Sequence, residues 1–69
     1  MKLIECAEQL RNSGFTVYTW RPSEGTGEPD IVARKNGQLY NVYLSRDAFL
    51  ESAINAFAIA HDARVVYVI

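Results

Sequence analysis

The acidic residues at and before position 30 are the strongest candidates for chemistry in this sequence. Asp30 begins an apolar run, and the loop before it carries Ser23, Glu24 and Glu28. Any site built at this edge would draw on Asp30 and on these loop side chains. A structural turn role is favoured for Asp30, because an aspartate side chain accepts hydrogen bonds from loop amides. Loop acids such as these two glutamates are more often simply solvated.

A hairpin is predicted to fix which residues lie opposite Asp30. Asn36-Gly37 is a strong signal for a two-residue turn. Counting outward from this turn places Val32 opposite Asn41 and Asp30 opposite Tyr43. Because opposed residues share a face, these four side chains are predicted to line one side of a sheet.

Periodicity and turn signals divide the chain into six elements. Helices are predicted at 2–12 and from 45 to about 61, and strands at 15–20, 30–34, 38–44 and 64–69. Ser45 is the predicted N-cap of the second helix, whose apolar face runs from Phe49 to Ala58. The unbroken apolar run at the end is typical of a strand covered on both faces, and the preceding helix favours a parallel partner strand. The order αβββαβ predicts an α/β fold with a mixed sheet and helices packed on it.

Length and composition indicate one small domain that spans residues 1–69. The chain is 49% hydrophobic and 22% charged, which is typical of a globular protein and argues against disorder. No apolar run approaches the roughly 18 residues of a membrane span, so no membrane contact is expected. The single cysteine, Cys6, excludes an internal disulfide and favours a cytoplasmic location. With a net charge of −1, any contact with nucleic acid must come from a local patch.

The order of several short motifs resembles that of a known family. Gly14-Phe15 precedes an extended run and a Ser/Gly-containing loop, Pro-Asp-Ile-Val-Ala follows at 29–33, and Tyr-Leu-Ser-Arg-Asp at 43–47 precedes a helix. Phe57, and Ala63 just before the last strand, extend the likeness. This arrangement resembles the archaeal Holliday-junction resolvases of the PD-(D/E)xK nuclease superfamily. The resemblance implies a restriction-endonuclease-like fold.

The resemblance also implies a Mg²⁺-dependent phosphodiesterase site. In that family the aspartate of the Pro-Asp pair and a second carboxylate hold the metal, and a lysine two residues after the second acid positions or activates water. Asp30 matches the first ligand, whereas the second motif falls on Asn41 and Tyr43, which are neutral. The helical glutamate of the family falls near Lys2, with Glu5 about one turn late. One carboxylate with a neutral amide is a poor Mg²⁺ site, so Asp30 is expected to be a vestigial ligand.

A set of cations and one serine forms the predicted nucleic-acid contact strip. It consists of Arg21, Ser23, Arg34, Lys35 and Arg46, with Trp20 and Tyr43 as stacking surfaces. Ser23 matches a family serine that lies near the scissile phosphate, and a generic loop hydroxyl is its alternative. A mixed solvated surface is the alternative for the charges. His61 is predicted to be a dipole partner or cap at a helix C-terminus rather than an acid or base.

These observations predict a degenerate nuclease-like domain that binds DNA, RNA or a protein partner without cutting and without a cofactor. A homodimer is expected, because the resembled resolvases are two-fold dimers and the chain has many large aromatic side chains for its size. Two alternatives stay open. One is an active, Mg²⁺-dependent, structure-selective endonuclease in which Glu5, Glu24 or Glu28 joins Asp30 as a migrated ligand. The other is a pure protein-interaction module with an aromatic interface.

Overall fold

Two helices and a four-stranded mixed sheet form the structure. A computed structural model describes residues 2–22 and 25–68. Its elements are α1 (Lys2–Asn12), β1 (Thr16–Trp20), β2 (Ile31–Lys35), β3 (Gln38–Tyr43), a 3₁₀ turn (Ala48–Leu50), α2 (Glu51–His61) and β4 (Ala63–Tyr67). The strands lie in the order β1-β2-β3-β4, and only the β3–β4 pair is parallel. The predicted α/β class, the αβββαβ order and the parallel last strand are confirmed.

The β2–β3 hairpin has the predicted two-residue turn. Asn36 and Gly37 both have positive φ, at 53° and 78°, as a turn matched to the twist of a hairpin requires. Lys35 consequently pairs with Gln38, and Val32 pairs with Asn41. The predicted register is confirmed from the turn to the Ile31–Val42 pair, whereas Asp30 precedes β2 and its predicted pairing with Tyr43 is not part of the ladder.

The main core lies between α1 and one face of the sheet. Helical spacing turns one stripe of α1 inward, and strand alternation turns every second residue of β2 and β3 toward it. The buried members of this cluster are Leu3, Cys6, Ala7, Ile31, Ala33 and Val42. Cys6 is therefore a small buried residue of the core.

The start of the second helix differs from the prediction. Asp47, not Ser45, is the capping residue, and its carboxylate accepts the backbone N–H of Phe49 at 2.9 Å. Asp47 caps a 3₁₀ turn, and α2 begins after that turn at Glu51; the N-cap position of α2 itself is Leu50, which forms no side-chain cap hydrogen bond. Phe49 is 98% exposed, so its assignment to the apolar face is wrong, whereas Ile54 is buried as predicted.

α2 covers only part of the sheet face that lies opposite α1. α2 packs chiefly against β4, and β4 pairs with β3 alone. Val66 packs against the α1 core and α2 packs against the strand, so both faces of β4 have cover, but no side chain of β4 is fully buried. Each helix within the described ranges has eleven residues, and neither has the length and apolarity needed to cross a membrane.

Candidate functional site

Asp30 joins the ends of three strands. The residue is 7% exposed, and its Oδ2 accepts the backbone N–H of Leu44 at 2.9 Å. Its own backbone N–H donates to the carbonyl of Val42 at 3.0 Å, and its carbonyl accepts the N–H of Arg21 at 2.9 Å. The carboxylate also raises the pKa of the Cys6 thiol, although burial of that thiol is the larger cause. Asp30 therefore has a defined structural role beside the α1 core.

Asn41 is buried in the middle of β3. Its Nδ2 lies 3.5 Å from Nδ1 of His61, the last residue of α2. Its Oδ1 has no hydrogen-bond partner among the residues that the structure describes. In a buried asparagine, both the oxygen and the nitrogen of the side-chain amide usually have hydrogen-bond partners. Asn41 therefore places an unsatisfied oxygen at a strand position that an apolar side chain could occupy.

Tyr43 anchors the loop that precedes β2. Its hydroxyl donates a 2.6 Å hydrogen bond to the carbonyl of Gly27, and its ring centroid lies 5.8 Å from that of Tyr67. Burial raises the pKa of Tyr43 to about 12, and the nearby Tyr67 and Asp30 add to this effect. At neutral pH the phenol is therefore a hydrogen-bond donor and not a proton acceptor.

Asp30, Asn41 and Tyr43, the three positions predicted to match the nuclease motif, form no carboxylate cluster. Within 2–22 and 25–68, no three His, Cys, Asp or Glu side chains are grouped closely enough to hold a metal ion. Of the alternative ligands that the sequence offers, Glu5 lines a hollow of about 190 Å³ beside α1, and Glu28 lines a separate cleft near α2. Glu24 lies outside the described residues.

One half of the sheet is left open on the side of α2. Strand alternation places Val32 and Arg34 opposite the α1 core, and their β1 partners on this side are Thr19 and Thr16. We call these four residues the open face. An irregularity between Val17 and Thr19 sets this register, because it adds one residue to β1.

A cleft of about 240 Å³ lies at the boundary between the open face and α2. Its polar lining residues are Thr19, Arg21, Glu28 and His61, and its apolar lining residues are Pro29, Val32 and Phe57. The sequence did not predict this cleft. One signal was available, since Phe57 and His61 are four residues apart and therefore lie on the same side of α2.

The predicted cation strip is divided between different parts of the surface. Arg21 lines the cleft, and the Arg34 guanidinium on the open face donates to the Gly37 carbonyl at 3.4 Å. The ammonium of Lys35 lies 5.1 Å from the ring centroid of Phe15 on the α1 side. Arg34 and Lys35 are consecutive strand residues and so point to opposite faces. Of these cations, only Arg21 in the cleft and Arg34 on the adjoining open face can act together.

The other members of the predicted contact set lie apart from the cleft. The Arg46 guanidinium is 5.2 Å from the ring centroid of Tyr67 and 3.7 Å from Glu51 Oε1. Ser23 lies outside the described residues. Trp20, 43% exposed, pairs with Ile31 at the edge of the sheet, whereas Tyr43 is 3% exposed and offers no stacking surface. Arg21 and Arg34 thus remain as the predicted contacts that share the open side.

Comparison with known proteins provides no further assignment. No protein-family model matches the chain. No curated protein matches it in sequence.

Proposed function

We propose that this protein is a non-catalytic domain that binds nucleic acid through its open face, on a scaffold that resembles the PD-(D/E)xK nucleases. One observation carries the non-catalytic part of the proposal. Asp30, Asn41 and Tyr43, which match the motif positions, are buried, and each contacts a protein group. Asp30 holds the end of a strand, Asn41 contacts the end of α2 and Tyr43 holds a loop. These side chains are therefore poorly suited to bind and release a metal ion or water during hydrolysis.

The chemistry of the open side supports nucleic acid as the partner. Arg21 and Arg34 supply cations for phosphates, and Thr16 and Thr19 supply exposed hydroxyls. Tyr18 on the same edge strand is 54% exposed. Cations beside an aromatic side chain are the combination with which proteins bind single strands.

The binding test is fluorescence anisotropy at low salt with labelled single-stranded, duplex and four-way-junction DNA. We expect Arg21→Ala to weaken binding about fivefold, since an exposed charge contact contributes up to about 1 kcal/mol. Arg11→Ala is the matched control, because it removes the same charge from the exposed end of α1. If no probe binds, or if both variants weaken binding equally, the open face is not a nucleic-acid surface.

The same probes test for cleavage in the presence of Mg²⁺ or Mn²⁺. We expect none. Asp30→Asn keeps an acceptor for the Leu44 N–H and removes the negative charge. If the parent protein cleaves a probe and the folded Asp30→Asn variant does not, the endonuclease alternative is established instead.

A cytoplasmic homodimer completes the proposal. The large apolar side chains of Phe49 and Ile59 are 98% and 82% exposed, and a small domain gains stability when such groups are covered. The buried, unpaired thiol of Cys6 suits a reducing compartment. Sedimentation equilibrium measures the association directly, and a monomer at all concentrations would contradict the dimer.

A further inference from the structure

The size and walls of the cleft suit one flat ring. Its volume of about 240 Å³ is below the roughly 300–1,000 Å³ of sites for drug-sized ligands. Val32 lies on the sheet side, and Phe57 lies on the α2 side. Apolar groups on two sides favour a planar group that can be placed between them.

The polar groups of the cleft require a ligand with both donors and acceptors. Arg21 offers donors only, whereas the Glu28 carboxylate accepts hydrogen bonds. Neither side chain forms an ion pair with any residue in 2–22 or 25–68. Glu28 disfavours a simple anion, and Arg21 disfavours a purely apolar guest. The edge of a nucleobase presents donors and acceptors side by side on a flat ring.

Asn41 orients the histidine at the end of the cleft. Its Nδ2 lies 3.5 Å from Nδ1 of His61, and this contact holds the imidazole ring in place. The same ring lines the cleft, so it offers a polar edge to a ligand. This role gives a reason for a buried amide at a strand position where it leaves its own Oδ1 unpaired.

From this geometry we infer that the cleft binds one unpaired base of a single-stranded nucleic acid, while Arg21 and Arg34 contact the adjoining phosphates. The inference rests on the proposed function and specifies its ligand. A paired base is stacked inside the duplex and cannot enter the cleft without being flipped out. Single strands are therefore the expected ligand of the open side.

The test compares two labelled single strands of equal length and charge. One is an oligodeoxycytidine, and the other has the same phosphates but abasic tetrahydrofuran units in place of nucleosides. We expect the base-containing strand to bind at least about fivefold more tightly, since stacking of a base contributes about 1–3 kcal/mol. Equal binding of the two strands would overturn the inference and leave the proposed function intact.

Thr19→Phe provides the second measurement, because Thr19 is exposed on an edge strand and lines the cleft. A bulky ring at this position fills the cleft without disturbing the α1 core. We expect the variant to bind the deoxycytidine strand only as weakly as the abasic strand. Asn12→Phe is the control, because it adds the same ring at the exposed end of α1, on the other side of the sheet from the open face, and it should change neither affinity.

The outcomes separate the two proposals. Loss of base discrimination in Thr19→Phe, with abasic binding retained, supports a base in the cleft. Unchanged discrimination in a folded Thr19→Phe variant overturns the inference, because the base is then held elsewhere. If the parent protein binds neither strand, or if Arg21→Ala weakens the binding of neither strand, the proposed function itself fails. The comparison of strands uses the parent protein, so it remains decisive even if a variant does not fold.

Discussion

The phenol of Tyr43 is buried between the Gly27 loop and the ring of Tyr67, and its hydroxyl donates to the Gly27 carbonyl at 2.6 Å. A catalytic lysine at this position would need contact with water and substrate. The tyrosine instead attaches a loop to the sheet. Its raised pKa follows from the same burial, because removing the proton would place a negative charge in an apolar site near Asp30.

Replacing this phenol tests the structural role. We expect Tyr43→Phe to lower the free energy of unfolding by about 1–3 kcal/mol at neutral pH, because the buried Gly27 carbonyl loses its donor. Chemical denaturation monitored by circular dichroism measures this change. Tyr18→Phe removes an exposed hydroxyl and should have almost no effect. Equal effects of the two variants would contradict the structural role.

The same variant has a defined pH signature. The pKa of Tyr43 is about 12 in the folded protein and 10.0 for an unperturbed tyrosine, so the unfolded state loses this proton first as pH rises. The stability that Tyr43 contributes is therefore complete below pH 10 and is lost between pH 10 and 12, with a maximum slope of about 1.4 kcal/mol per pH unit. Tyr43→Phe should remove this part of the alkaline slope. An identical slope in the variant would show that the phenol is not buried.

Asp30 shows what could be predicted about a single residue. Sequence patterns favoured a carboxylate that accepts backbone N–H groups, and the structure has such a bond to Leu44. The expected donors were amides of the loop, whereas Leu44 is 14 positions away and follows β3. The chemical preference of the side chain is local information, but the identity of its partner depends on how the strands pair.

Among the elements, the loop before β2 is held by a close contact with α2. Gly27 has a φ of +90°, and a Cβ at this position would lie 2.6 Å from Cβ of Ala53. Only a residue without a side chain fits there. The loop therefore depends on Gly27 both for its backbone conformation and for its distance from the helix.

Two glycines of this loop make a matched pair for testing that contact. We expect Gly27→Ala to destabilise the protein by about 2–5 kcal/mol, from the positive φ together with overpacking against Ala53. Gly25 has a φ of +76° with nothing within 4 Å of the added Cβ, so Gly25→Ala should cost only about 1–2 kcal/mol. Denaturant midpoints give the difference. If Gly25→Ala destabilises as much as Gly27→Ala, the loop is not packed on α2.

The start of α2 shows where sequence signals are insufficient at this scale. Ser45 and Asp47 are both good N-cap residues, and the sequence does not distinguish between them. In the structure Asp47 caps the 3₁₀ turn that precedes α2. Phe49 lies within that turn and not in α2, so the helical spacing that assigned Phe49 to the apolar face does not apply to it.

At the scale of the whole molecule, local patterns predicted the elements and the hairpin but not the cleft. The αβββαβ order could be predicted because it depends on patterns among residues that are close in sequence. These patterns are the helical spacing, the strand alternation and the Asn36-Gly37 turn. The cleft arises because α2 lies over β4 and leaves β1 and β2 uncovered on that side. The position of a helix across a sheet depends on contacts such as that between Gly27 and Ala53, which no local pattern reveals.

The division of cations between the faces has a measurable consequence for the whole molecule. The chain has a net charge of −1, and only Arg21 and Arg34 of the predicted strip lie on the open side. For a single strand, each neutralised phosphate contributes about −0.7 to the slope of log K against log salt concentration. We therefore expect a slope of about −1.4 for each chain of the parent protein.

Anisotropy titrations over a range of salt concentrations measure this slope. Arg21→Ala should reduce it to about −0.7, because one phosphate contact remains. Arg46→Ala should leave it unchanged, since that guanidinium lies against Tyr67 and near Glu51, away from the cleft. A slope near −3 that becomes less negative in Arg46→Ala would contradict this expectation, because it requires cations from more than one face. Nucleic acid would then have to wrap around the domain instead of lying on the open face.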